Sequence, residues 1–121
     1  MTTLAGTAGL NGSADGTGAA ARFGGGRARG PTFGSPASGG IATDSTGNVY
    51  VADAYNSTVR KVTPDGVVTT VVGMPRVRGF VPGELPGVVS NPYGIAISGG
   101  ALYITTNQGV AVVWDLVRNA R

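Results

Sequence analysis

Residues 46–73 read TGNVYVADAYNSTVRKVTPDGVVTTVVG, and this stretch decides the fold. Apolar and polar side chains alternate over residues 48–52, which predicts a short β-strand. Residues 53–57 contain an aspartate and an asparagine, two residues that turn the backbone through their own side-chain hydrogen bonds. Residues 58–62, TVRKV, return to a period of two. The stretch therefore begins with two strands joined by a loop.

A third strand follows a strong turn signal. Residues 63–66, TPDG, combine a proline, an aspartate and a glycine in the order that a tight turn needs, so the chain is predicted to reverse into a strand over residues 67–72. Because Arg60 and Lys61 are charged, the strand at residues 58–62 is expected to have access to solvent. A further short strand is predicted ahead of these, at residues 40–44.

The same order of strands begins again later in the chain and then stops. The segments GIAIS, ALYIT and GVAVVW repeat the first three strands, and no fourth follows; they occupy residues 94–98, 101–105 and 109–114. At the other end, TTLAG at residues 2–6 resembles TTVVG at residues 69–73, which predicts an outer strand without the three that should precede it. Naming the strands of one unit A to D, the chain contains D, then ABCD, then ABC.

Repetition of a four-stranded unit is typical of a β-propeller, in which each sheet, or blade, buries its apolar faces against its neighbours. We therefore expect an all-β fold, a partial β-propeller of about two four-stranded antiparallel blades. The predicted segments are an outer strand plus glycine-rich linker, a complete blade, a second linker and an incomplete terminal blade, at residues 1–39, 40–73, 74–91 and 92–121.

Composition excludes several classes of function. The 121 residues include 22 glycines and 7 prolines, which disfavour long helices. Cysteine and histidine are absent, so a disulfide framework, a thiolate metal site and histidine catalysis are unavailable. A net charge of +3 is spread without a basic stripe, which makes nucleic acid a disfavoured partner. No apolar run approaches the ~20 residues of a membrane span, and no export signal is recognised.

Residues 40–73 closely resemble the repeat of NHL-repeat β-propellers, in the six-bladed group that is similar to TolB-like propellers. SADGTGAAARF at residues 13–23 looks like the linker between such blades, and residues 79–113 look like a divergent final blade. The resemblance implies a ring of six blades, of which this chain supplies about two. Three explanations are open: a C-terminal fragment of a longer protein, a unit that self-associates, or a degenerate product.

Two departures from the family pattern stand out. A glycine- and arginine-rich insertion, GGGRARGPTFGSPASGG, occupies residues 24–40, where the family would run almost directly into the next blade. We interpret it as a flexible surface insertion, with an anion-binding loop as the alternative. In the second unit, Thr105 and Thr106 stand where the family has an alanine and an aspartate, so the turn chemistry of Asp53 is not expected there.

No constellation of residues predicts a catalytic, cofactor or metal site. The aspartates at strand ends are explained by turn and backbone bonding, and they are Asp44, Asp53, Asp65 and Asp115. Residues 13–23 lack the ligands of a calcium or phosphate loop, so we expect a turn and one helical turn that packs Phe23. The aromatic residues Tyr50, Tyr93, Tyr103 and Trp114 are expected to pack in the core.

The favoured function is a non-catalytic protein-binding or scaffolding module, with no cofactor. One alternative is a piece of a propeller enzyme, such as a lactonase, hydrolase or lyase, with its catalytic residues in missing blades. Another is an RNA-binding NHL surface. The expected partner is a protein or further propeller blades, including copies of the chain, of which three would complete a six-bladed ring. Export or a cell-surface location is implied by the resemblance alone.

Overall fold

The computed structural model describes residues 1–24, 39–75, 77, 79, 81, 83, 85–114 and 116. Within these ranges the regular structure is β-strand, apart from short 3-10 helices at Gly18–Ala20 and Ala54–Asn56. The strands are β1 (Gly16–Thr17), β2 (Ile41–Thr43), β3 (Val49–Asp53), β4 (Thr58–Val62), β5 (Val67–Gly73), β6 (Ile95–Ser98), β7 (Ala101–Thr105) and β8 (Val110–Val113). The prediction of an all-β fold, arranged as a partial β-propeller, is confirmed.

The first sheet contains five antiparallel strands in the order β1-β5-β4-β3-β2. Strands β2 to β5 follow one another as a meander, as the turn signals predicted. A register shift between Val59 and Arg60 marks a β-bulge where β4 pairs with β5. Strand β5 ends at Gly73, whose φ is 83° and where an added Cβ would clash with the carbonyl oxygen of Ser57. Only glycine fits that position.

The second sheet contains three antiparallel strands in the order β6-β7-β8. Among the described strands, β8 therefore lies at an edge of this sheet, with β7 on one side of it. The turn between β6 and β7 is Gly99–Gly100, and both glycines have positive φ angles of 58° and 77°. Two glycines suit a tight hairpin turn of this kind.

The two sheets pack face to face around one apolar core. Its buried residues come from both sheets and from neighbouring loops, and they are Tyr50, Val59, Val71, Val72, Val89, Leu102, Ile104, Val113 and Leu116. A second, smaller cluster lies on the opposite face of the first sheet, where Val62 and Val68 contact Ala21, Phe23 and Ala5. The first sheet is thus covered by the second sheet on one face and only in part by the N-terminal segment on the other, where Ile41 remains exposed.

The prediction of an outer strand at residues 2–6 is wrong. This segment has no strand conformation, and the edge of β5 is occupied instead by Gly16–Thr17. The backbone N–H of Gly6 donates to Gly18 at 3.0 Å, which anchors the segment beside the 3-10 helix. A single strand needs a pairing partner, and none of the described strands of this chain offers one here.

Other expectations meet mixed outcomes. Tyr50 is buried, as predicted, but Tyr93 and Trp114 are exposed, so their predicted core role is wrong. Arg60 is fully buried, which contradicts the expected solvent access, because polar groups of the N-terminal segment cover it. The insertion after Phe23 lies almost wholly outside the described residues, and the predicted division into four segments stays a prediction.

No helix among the described residues is long and apolar enough to cross a membrane.

Candidate functional site

Two features of the described chain could support function: a buried polar network and an exposed apolar face. The polar network lies on the face of the first sheet that meets the N-terminal segment. At its centre, Arg60 forms an ion pair with Asp53, with 3.1 Å between Nη1 and Oδ2. Both side chains are fully buried. A pair of this kind is stable only when further hydrogen bonds satisfy both groups.

Those further bonds come from the N-terminal segment, and of the guanidinium nitrogens only Nε has no hydrogen-bond partner among the described residues. The Arg60 guanidinium donates to the backbone carbonyls of Arg22 and Ala14 at 2.7 and 2.8 Å. Its Nη2 also lies 2.9 Å from Oδ1 of Asp15, whose side chain is half-exposed. The ring of Phe23 stacks on the guanidinium, with 4.9 Å from Cζ to the ring centroid. Arg60 therefore fastens the N-terminal segment to the sheet.

Asn56 completes the network. Its Nδ2 donates to the carbonyls of Gly12 and Gly24 and to Oδ2 of Asp53, at 2.8 to 2.9 Å. Oδ1 of Asp53 accepts the backbone N–H of Gly24 at 2.9 Å. Asp53 is thus fully buried and bonded to Asn56, Arg60 and Gly24. The network joins the N-terminal segment to the first sheet, and we name it the latch (Asp15, Asp53, Asn56, Arg60).

Asp44 shapes the turn between β2 and β3. Its carboxylate accepts bonds from the backbone and side chains of Thr46 and Asn48, and from the hydroxyl of Tyr50. Burial alone would raise the pKa of Asp44, but the hydrogen bonds from Asn48 and Thr46 outweigh it and hold that pKa well below its usual value. Burial and the bond to Asp44 raise the pKa of Tyr50 to about 12. These hydrogen bonds of Asp44 stabilise the turn between β2 and β3.

Two of the predicted turn carboxylates remain, Asp65 and Asp115. Asp65 is exposed in the turn before β5, and Asp115 lies outside the described residues. Across the described ranges, no group of three acidic side chains lies close enough to hold a metal ion. The predicted absence of catalytic, cofactor and metal sites stays a prediction.

The exposed apolar face belongs to the second sheet. Side chains alternate along a strand, and those of Leu102, Ile104 and Val113 point into the shared core. The opposite face, which we name the outer face, carries Tyr103, Val110, Val112 and Trp114. Val110 is 62% exposed and Trp114 is 66% exposed. The Tyr103 and Trp114 rings meet edge to face, with centroids 6.3 Å apart.

The register of the two sheets identifies which face of the first sheet is the counterpart of the outer face. Tyr50 pairs with Lys61 in the first sheet, and Tyr103 pairs with Val112 in the second. Tyr50 and Tyr103 are equivalent in the sequence repeat, so the outer face corresponds to the face of the first sheet that carries Tyr50. That face is buried beneath the second sheet, where Tyr50 is 1% exposed. The outer face is therefore apolar and corresponds to a face that packs against another sheet elsewhere in the molecule.

An apolar groove runs along the edge of β8. It has a volume of about 400 Å³ and lies between residues 110–114 and the loop that precedes β6. Loop side chains Leu85, Val88 and Val89 form its other wall. Because all four residues of β8 line it, the groove follows a strand edge that no described strand occupies rather than enclosing a compact ligand.

Sequence reasoning missed the latch residues Arg60 and Asn56 and the role of Asp15. The available signal was an arginine in a strand with a loop aspartate seven residues earlier, but alternation alone suggested an exposed cation. Thr106, predicted not to reproduce the chemistry of Asp53, accepts the N–H groups of Gln108 and Gly109 in a local turn. It therefore turns the chain without fastening another segment.

Comparison with known proteins gives a family match over part of the chain. Residues 39–62 match the NHL repeat. Among curated proteins, none matches this chain. Solved structures do match this chain. A Bacteroides thetaiotaomicron protein of unknown function is 28% identical with a TM-score of 0.69, and the match covers 90% of this chain and 26% of that one.

Two further similar structures are auxiliary nutrient-binding proteins. The one from Bacteroides thetaiotaomicron is 20% identical, with a TM-score of 0.69, and the match covers 90% of this chain and 28% of that protein. The one from Bacteroides ovatus is 25% identical, with a TM-score of 0.68, and the match covers 91% of this chain and 28% of that protein. The chain thus spans about a quarter of the length of the structures it matches.

Proposed function

We propose that this chain is a non-catalytic segment of an NHL-type propeller that binds a protein through the outer face and the edge of β8. The observation that carries this proposal is the exposure of Val110 and Trp114 beside an apolar groove. Large apolar side chains grouped next to a strand edge, here one that no described strand occupies, are typical of protein-binding surfaces.

A protein fits this surface better than a small molecule does. Pockets for small ligands place a few polar groups where they converge on the ligand, whereas the groove is lined almost entirely by aliphatic side chains. An extended polypeptide can use both parts of the site, because the β8 backbone offers hydrogen bonds and the groove accepts apolar side chains. The nutrient-binding names of two similar structures are compatible with a binding role of either kind.

The polar residues favour this function over the alternatives. The carboxylates Asp44 and Asp53 are engaged in a turn and in the latch, which supports a non-catalytic role. Arg60 is buried, and Arg22 donates to the carbonyls of Ala19 and Ala21, so neither guanidinium is presented freely to a polyanion.

We extend the proposal to the parent architecture. The chain would supply about two blades of a six-bladed ring similar to TolB-like propellers. The missing blades would come from a longer polypeptide, of which this chain is a C-terminal fragment, or from further copies, three of which would complete the ring. The family resemblance favours a protein that is exported or displayed at the cell surface.

A displayed library of random extended peptides tests the function. We expect peptides with alternating apolar residues to bind the 121-residue chain. Val110→Lys should weaken that binding about tenfold or more, which corresponds to 1.4 kcal/mol. The matched control is Val67→Lys, at an exposed valine of β5, whose edge β1 already covers. Failure to select any peptide, or equal loss in both variants, would refute a binding role for this surface.

A further inference from the structure

We propose that the outer face binds a second copy of this chain, whose residues 2–6 add to the edge of β8 as its fourth strand. The inference rests on the proposed function, because it assigns an occupant to the same surface. It is carried by the repeat in the sequence, by the position of residues 2–6 in the structure and by the exposed apolar residues at both ends of the molecule.

The repeat identifies the missing strand. In the first sheet, TTVVG at residues 69–73 forms most of β5 and pairs with β4. Strand β8 is the counterpart of β4, and no described strand takes the position of β5 beside it. TTLAG at residues 2–6 shares both threonines and the terminal glycine with TTVVG. Gly6 and Gly73 also share positive φ angles, of 96° and 83°.

The segment at residues 2–6 is placed to leave its own chain. Thr2, Thr3 and Leu4 are exposed and belong to no strand. The segment is held from Leu4 onward: the Leu4 carbonyl lies beside Gly66, Ala5 packs against the smaller apolar cluster, and the N–H of Gly6 donates to the carbonyl of Gly18. Exchange of so short a surface segment between copies would leave the two sheets of its own chain intact.

The pairing cannot occur within one chain. Ala5 packs against Val62 and Val68, on the face of the first sheet that the latch also occupies. The second sheet packs on the opposite face, through Tyr50 and Val59. The first sheet therefore lies between residues 2–6 and β8 of the same chain, and only a neighbouring copy can bring the two together.

The two ends of the molecule are complementary. On the N-terminal side, Leu4, Leu10 and Ile41 are exposed, by 47%, 54% and 64%. On the other side lie the exposed Val110 and Trp114 of the outer face. Joining one end to the other is a heterologous contact, which generates a closed ring or an open chain. It would cover a second sheet with the first sheet of the next copy, repeating the contact that already exists inside one chain.

Disulfide trapping tests this pairing directly, because the chain has no cysteine of its own. The observed register pairs Lys61 with Thr69, and these residues are equivalent to Val112 and Thr2. A Thr2→Cys chain mixed with a Val112→Cys chain should therefore give disulfide-linked heterodimers on mild oxidation, since directly opposed residues lie within disulfide range. The control mixture is Thr46→Cys with Val112→Cys, since Thr46 is exposed in the turn between β2 and β3.

The outcomes separate the inference from the proposed function. Heterodimers that form selectively in the Thr2 mixture, at a yield that rises with concentration, support the inference. Their absence, or equal yields in both mixtures, overturns it. If peptides still bind the chain and Val110→Lys still weakens their binding about tenfold or more, the surface keeps its protein-binding function with a different occupant. If peptide binding also fails, both proposals are wrong.

Discussion

Two equivalent tyrosines show how the two sheets differ. Tyr50 in β3 is almost fully buried, whereas Tyr103 in β7 is only partly buried and contacts the exposed ring of Trp114. Both side chains stand on the same face of their repeat. The difference is the neighbour, since the second sheet covers Tyr50 and no described residue range forms a sheet over Tyr103. Burial in this fold is therefore a property of the stack of sheets rather than of a single one.

The opposite faces of the two sheets differ in how they are covered. Arg60 occupies β4 opposite Val51, and its equivalent in β8 is Ala111 opposite Ile104. The arginine binds an irregular segment through carbonyl groups, whereas the alanine packs against the neighbouring sheet. A polar latch suits an irregular covering segment because that segment presents backbone groups, and an apolar face suits a covering sheet.

The largest expected effect comes from breaking the latch. Arg60→Met leaves the Asp53 carboxylate buried without its cation, and the loss of one member of a buried ion pair costs about 3–5 kcal/mol. Unfolding in urea should therefore show a free energy of unfolding lower by about that amount, together with early exposure of the N-terminal segment to protease. The matched control is Lys61→Met, at the half-buried neighbouring position, which should change stability by less than about 0.5 kcal/mol.

A loss in Arg60→Met no larger than that in Lys61→Met would contradict the latch. The double variant Arg60→Met with Asp53→Leu should recover part of the lost stability, because it removes the unpaired buried charge.

The next largest expected effect is a difference in stability between variants on the two faces of the second sheet. Leu102→Ala removes a fully buried side chain from the shared core and should lower the free energy of unfolding by about 2–5 kcal/mol. Trp114→Ser, on the outer face, should change it by about 0.5 kcal/mol or less in dilute solution. Thermal and urea unfolding of both variants measure the contrast. Similar losses at the two positions would show that the outer face is buried in solution.

A smaller effect depends on pH. The pKa of Asp44 is lowered in the folded protein, so its contribution to stability is present above the unfolded pKa, near 4, and is lost as pH falls through the folded value. The second sheet has glycines in the equivalent turn and makes no such contribution. Asp44→Asn should therefore be less stable than the parent at about pH 7, and the difference should shrink towards about pH 2. A difference that is constant across this range would contradict the assignment.

The turn and strand signals predicted most of the fold. The proline, aspartate and glycine before β5 and the alternation in β3 and β7 are local signals, and those strands form within a residue or two of the predicted positions. Residues 2–6 carry the same local signal as the end of β5 and form no strand, because a strand also needs an edge to pair with. Local propensity cannot supply that partner.

The site was harder to predict for the same reason. Arg60 has the alternation of an exposed residue, and only the fold brings the carbonyls of Ala14 and Arg22 over it. Tryptophan is a residue type that usually packs in a core. Trp114 is nevertheless exposed, because no described residue range forms a sheet over it. Both errors concern contacts between segments distant in sequence, which periodicity does not encode.

Backbone hydrogen exchange as a function of protein concentration tests the central claim most directly, that β8 and the outer face form a docking surface for another polypeptide. In dilute solution the edge amides of β8 (Val110–Val113) should exchange much faster than those of β4 (Thr58–Val62), which are paired on both sides. As concentration rises, protection should increase at β8 and at residues 2–6, and stay constant at β4. Exchange at β8 that is slow at every concentration, or that never responds to concentration while peptide ligands also leave it unchanged, would contradict the account.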